Sequence, residues 1–215
     1  MCDINREKEQ KEATQPQPSD NGILPIAETA VRRPRSRAVS ATVQLAQCAI
    51  FVALMAAAAY IQIPFYPVPL TFQTVVCVLA GLLLGARNGA LALAAYLVMG
   101  VLGLPVFSSG GGFTYVLMPS FGYILGFVGA AFLAGLIVGK KKTLSRFLLA
   151  AAVGFAVNYA VGIVYFILIW EFYLQAAGLG AALVTYNLLY MPKDIVLCML
   201  AAFLARRVGG ALRQR

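Results

Sequence analysis

Residues 38–86 read AVSATVQLAQCAIFVALMAAAAYIQIPFYPVPLTFQTVVCVLAGLLLGA, forty-nine residues without a charge. A helix needs about 20 apolar residues to cross a bilayer. The stretch therefore has room for two crossings and a turn, and Pro64, Pro67 and Pro69 mark the turn. Arg87 ends the run, and Asn88 to Gly139 gives a second charge-free stretch of 52 residues. Pro105, the run Gly110-Gly111-Gly112 and Pro119 divide that stretch in the same way. Phe147 to Trp170 forms a fifth span of 24 residues, and Tyr190 to Ala205 a sixth. Between these last two, Gln175, Gly178, Gly180, Thr185 and Asn187 make residues 172–189 too polar for an easy crossing. That segment reads as an amphipathic or re-entrant piece on the outer side. The expected fold is all-α and polytopic, with six transmembrane helices.

Composition agrees. Of 215 residues, 61% are hydrophobic and 12% charged, about half the charge of an ordinary soluble domain. Eight acids cannot supply a soluble surface, and the absence of histidine excludes a His-based triad or a His-ligated metal. The first 40 residues hold seven basic and six acidic residues, with Gln15-Pro16-Gln17-Pro18 among them. Such a tail buries too little to offset its chain entropy and is expected to be disordered. It carries no apolar stretch of the kind a secretory signal needs. The expected organisation is a cytoplasmic tail over 1–40, a membrane domain over 41–208 and a basic cytoplasmic tail over 209–215.

Orientation follows from the basic residues. The groups Arg32/Arg33/Arg35/Arg37, Arg87, Lys140–Lys142 with Arg146, and Arg206/Arg207 fall after zero, two, four and six crossings. Positive charge stays inside, so both termini are expected in the cytoplasm of a multi-pass protein of the cell membrane. The outer connections, about 62–70, 104–118 and 171–189, hold no Lys or Arg. Nucleic acid is not an expected partner, because these charges lie between apolar runs. Residues Ala134 to Lys140 read AGLIVGK, which lacks the first Gly of a phosphate-binding loop and ends a span rather than following a strand. No nucleotide hydrolysis is expected. Cys48, Cys77 and Cys198 have no metal or redox spacing and read as apolar filler. No nucleophile–base pair is apparent, so an enzyme is not expected.

Polar residues at membrane depth are costly and therefore informative. Lys193-Asp194 follows Pro192 at the outer start of the last span, where Asp194 suits a helix N-terminus. The pair reads either as a simple terminal charge with a snorkelling Lys or as a ligand anchor. Asn158 lies between Gly154 and Gly162, placed for an interhelical bond or a ligand. Thr71 reads as an N-cap or a ligand contact, and Gln73 offers both a donor and an acceptor for an amide or ureido group. The Gly-rich, aromatic segment Phe107 to Tyr115 reads as an outer loop able to close over a ligand, with Phe107 and Tyr115 as its aromatic contacts. Small residues recur every four positions at Gly81/Gly85/Gly89, Ala131/Gly135/Gly139 and Gly122/Gly126, as packing faces. The stripe Ala49/Ala53/Ala57 reads either as packing of the same kind or as a smooth face for another membrane subunit. No ladder of intramembrane acids supports a proton- or sodium-coupled pump. The outer features together fit a small polar ligand with an apolar part. A ligand carboxylate would pair with Lys193, and ligand N–H groups with Asp194.

The run Ile63-Pro64-Phe65-Tyr66-Pro67-Val68-Pro69-Leu70-Thr71-Phe72-Gln73-Thr74 resembles the signature of the BioY family. The likeness continues in order through 80–90, through 96–107, through Gly122-Tyr123-Ile124-Leu125-Gly126-Phe127 and through Pro192-Lys193-Asp194, over about residues 41–208. Family members are substrate-binding membrane subunits, the S components of energy-coupling-factor (ECF) transporters for biotin. The resemblance implies six helices and capture of biotin from outside. It implies a separate coupling transmembrane subunit and two ATPase subunits that use the ATP. This chain itself would need no cofactor. The first helix would present its alanine face, Ala49/Ala53/Ala57, to the coupling subunit. Asp194, Lys193, Gln73, Thr71, Tyr123, Phe107, Tyr115 and Asn158 are the expected ligand residues. In many relatives the last helix reads Pro-Gly-Asp-x-x-Lys. Here Leu197 stands at the later Lys position and Lys193 replaces the Gly. The alternative is a carrier of biotin or a related vitamin that acts without partners.

Overall fold

A computed structural model describes residues 35–63, 68–139, 143–175 and 177–211. Helix α1, Arg35–Tyr60, starts six residues inside the expected tail. The rest of that tail, Pro64 and Pro67 of the first turn, the cluster Lys140–Lys142 and residues 212–215 lie outside the described residues. A two-residue antiparallel hairpin follows α1, with β1 (Gln62–Ile63) paired to β2 (Leu70–Thr71) in the register Gln62 with Thr71 and Ile63 with Leu70. Thr71 is therefore a strand residue and not a helix cap. Helix α2 runs from Gln73 to Val101. A 3₁₀ turn, Phe113–Leu117, leads to α3, Phe121–Val138. Helix α4, Leu144–Leu168, ends in a π-turn over Ile169–Leu174. Residues 172–189, too polar for an easy crossing, fold as the end of that π-turn, a short helix α5 (Leu179–Leu183) and a second π-turn over Val184–Leu188. Helix α6, Met191–Ala211, closes the chain.

Among the described residues, five helical stretches are long and apolar enough to cross a membrane, against six expected. The difference lies in α2, which spans both the second and third expected crossings. Gly85 inside it has φ 82° and ψ 177°, a conformation that interrupts a helix and that glycine adopts without steric cost. The two sides of Gly85 are not collinear. Along a straight helix Gln73 and Tyr96 would stand about 35 Å apart, yet their side chains are hydrogen-bonded at 2.6 Å. Residues 73–84 and 86–101 are thus two arms folded back on each other. Gly89 lies against Gly81 and Ala80, where a Cβ would come within 3.1 Å of backbone.

Small residues set the remaining approaches. A Cβ on Gly81 would run into the backbone of Ala131, and one on Gly135 into Ala86 and Gly85. In lipid, where apolar burial drives little association, such close backbone contact carries much of the packing energy. The glycine stripes on α2 and α3 are therefore spent within the chain. One buried cluster joins Cys77, Leu93, Tyr96, Phe107 and Phe127, and a second joins Val78, Ala134, Phe147, Cys198 and Ala202. Helix α1 is different: Phe51, Met55, Ala58 and Ala59 are buried, while Ala49, Ala53 and Ala57 are exposed. Its alanine stripe faces away from the rest of the chain.

Candidate ligand site

The three expected outer connections meet around one cavity. Its walls come from the hairpin (Val68 to Thr71), the start of α2 (Gln73, Thr74), the Gly-rich connection (Ser108, Tyr115, Ser120), α3 (Tyr123, Ile124, Phe127), α4 (Tyr159), the second π-turn (Tyr186), the turn after it (Tyr190) and the start of α6 (Lys193, Asp194). The N-terminal ends of α2, α3 and α6 thus share one end of the bundle. Arg87, two residues past the Gly85 fold-back of α2, and Arg206/Arg207, in the C-terminal part of α6, are exposed.

Asp194 is the chemical centre. It sits in the first turn of α6, 5% exposed. A carboxylate buried that deeply is tolerated only when paired and hydrogen-bonded. Lys193 Nζ lies 2.8 Å from Oδ1. Tyr159 donates to Oδ2 at 2.7 Å, and Thr74 makes a longer bond of 3.5 Å to the same oxygen. Adjacent helical residues point about 100° apart, but the flexible Lys193 stem curls its ammonium back to its neighbour. The same ammonium donates to the Thr71 carbonyl at 2.6 Å and stands 5.4 Å from the centre of the Phe72 ring. Lys193 thereby ties strand β2 to α6.

Gln73 is 4% exposed and donates to Tyr96, whose hydroxyl donates at 2.9 Å to the Val106 carbonyl. Tyr123 donates to Asn187 Oδ1 and meets Tyr159 edge-on, with centroids 5.7 Å apart. Tyr190 donates to the Val68 carbonyl at 3.2 Å. Tyr115 is held between Ser108 and Ser120. An aromatic wall with a charged, hydrogen-bonding end suits a small ligand with an apolar part and polar groups.

Six expected site residues come together here: Asp194, Lys193, Gln73, Thr71, Tyr123 and Tyr115. Two do not line the cavity. Phe107 is fully buried in the space left by Gly100, among the rings of Tyr96, Tyr115 and Phe121. It anchors the Gly-rich connection from below. That connection is also held by Tyr60 to the Pro105 carbonyl, Gln62 to the Ser108 carbonyl and Tyr165 to the Val116 carbonyl. Asn158 is fully buried against Gly126, and neither atom of its amide has a hydrogen-bond partner among the described residues, so the expected interhelical bond is not formed. Its neighbour Tyr159 lines the cavity instead. Sequence reasoning missed Tyr159, Thr74, Tyr186 and Tyr190. The available signal for Tyr159 was a hydroxyl at membrane depth, which needs a partner when buried.

The BioY family model matches residues 30–214. The chain is 35% identical over 166 residues to the biotin transporter BioY of Thermotoga maritima, covering 77% of this chain and 95% of that protein. It is 44% identical over 126 residues to the probable biotin transporter BioY of Lysinibacillus sphaericus, covering 58% of this chain and just under two thirds, 64%, of that protein. Among solved structures it resembles the S-component for biotin from an ECF-type ABC transporter, with TM-score 0.67 and 25% identity over 82% of this chain and 94% of that one. Matched over most of its length by the family model and by relatives above 30% identity, the chain belongs to the BioY family.

Proposed function

We propose that the chain is the biotin-capturing membrane subunit of an energy-coupling-factor transporter. The observation that carries this reading is the buried Asp194, held with Lys193 at the polar end of a cavity formed by all three expected outer connections. Relatives across most of the chain are named biotin transporters. Biotin combines a ureido ring, with two N–H donors and a carbonyl, an apolar bicycle and chain, and a carboxylate. Its polar ring matches Asp194, Lys193 and Gln73, and its apolar parts match Tyr115, Tyr123, Phe127 and Tyr159. The cavity holds about 50 Å³, room for only a few waters.

Counting the two arms of α2 separately gives six crossings and puts both termini on one side. The exposed Arg87, Arg206 and Arg207 favour a cytoplasmic face opposite the cavity, so the cavity opens outward. The energy comes from separate subunits: a coupling transmembrane subunit and two ATPases. The exposed Ala49/Ala53/Ala57 face of α1 is the docking surface for the coupling subunit.

Uptake of labelled biotin by cells expressing this chain tests the partner requirement. The reading expects uptake only when the coupling subunit and ATPases are present. Sustained uptake in cells lacking them would contradict it and identify a carrier that acts by itself.

A further inference from the structure

Gln73, Tyr96 and Val106 form a directed chain whose polarity is fixed by chemistry. The backbone carbonyl of Val106 can only accept a hydrogen bond, and the Tyr96 hydroxyl lies 2.9 Å from it. A tyrosine hydroxyl carries one proton, so Tyr96 gives that proton to Val106. Its oxygen can then only accept from Gln73, 2.6 Å away. Whichever way the carboxamide might otherwise turn, its NH₂ must face Tyr96. The carboxamide oxygen is left for the cavity that Gln73 lines. Tyr96 is fully buried and does not line the cavity itself. It is held from below by the edge of Phe107, at 5.4 Å between centroids. Phe107 in turn occupies the space above Gly100.

We infer that Tyr96 is a positioning residue that locks Gln73 as a hydrogen-bond acceptor, so that the site selects ligands offering an N–H at this point. The inference deepens the biotin reading and rests on it: the N–H is one of the two on the ureido ring. An unlocked glutamine would present either end of its carboxamide and accept a ring blocked at nitrogen almost as readily. The lock also runs through the Gly-rich connection, because Val106 belongs to it. The buried Phe107 therefore supports ligand selection without touching the ligand.

The test is equilibrium binding of biotin, and of biotin methylated on a ureido nitrogen, to the purified full-length protein. The wild type is expected to prefer biotin. Tyr96→Phe should weaken biotin binding about tenfold and shrink the preference over the methylated ring. Gln73→Ala should do the same, and adding Y96F to Q73A should cost nothing further, because Tyr96 acts through Gln73. Unchanged preference in Y96F, or losses from Y96F and Q73A that simply add, would overturn the assignment. Failure of the wild type to bind biotin at all would overturn the ligand reading itself, and is distinguished by needing no variant.

Discussion

Asp194 concentrates the energetics of the site in one carboxylate. Three side chains converge on it from α2, α4 and α6, so its charge organises that end of the cavity. Asp194→Ala removes those bonds and leaves Lys193 without its counter-ion. Biotin affinity measured by titration calorimetry should fall by roughly 1.5–3 kcal/mol. Unchanged affinity would remove Asp194 from the site. The place of Asp194 and Lys193 beside the cavity was legible in the sequence, because charges within the apolar runs are scarce and this pair stands at the start of one. The role of Tyr159 was not. Asn158 and Tyr159 are adjacent and both buried, and only the packing of Asn158 against Gly126 leaves Tyr159 as the one that lines the cavity.

Helices could be read from the charge-free runs, and their meeting points could not. The proline and glycine breaks located the hairpin and the Gly-rich connection. Charge-free length alone placed the fold-back of α2 near Arg87, and its position at Gly85 follows from a single positive φ. The Gly-rich connection looked able to move by composition, yet Phe107, a bond from Tyr96 and three hydrogen bonds from distant residues hold it and its flanks, and no sequence pattern announces that docking. Two predictions belong here. Gly81→Ala drives a methyl into the Ala131 backbone and should lower stability by about 1–3 kcal/mol. Thermal unfolding in detergent reads this, with Gly180→Ala, which meets nothing within 4 Å, as a control of near-zero effect. Phe107→Ala should cost about 3–5 kcal/mol by the same measurement. A smaller loss, within the range of a surface substitution, would show that the ring is not the anchor of the connection.

Across the whole molecule, one end of the bundle gathers the cavity, and the Ala49/Ala53/Ala57 stripe of α1 is exposed, the face proposed for the coupling subunit. A bulky group on that stripe should therefore separate capture from transport. Ala53→Trp should leave biotin binding to purified protein intact and abolish uptake in cells that carry the complete transporter. Loss of both together would place α1 within the ligand-binding fold instead. On the proposed reading, this cavity takes biotin. Titration of purified full-length protein with biotin tests it directly. Saturable one-site binding tighter than micromolar, competed by unlabelled biotin, is the expected result. Absence of binding tighter than micromolar would contradict it.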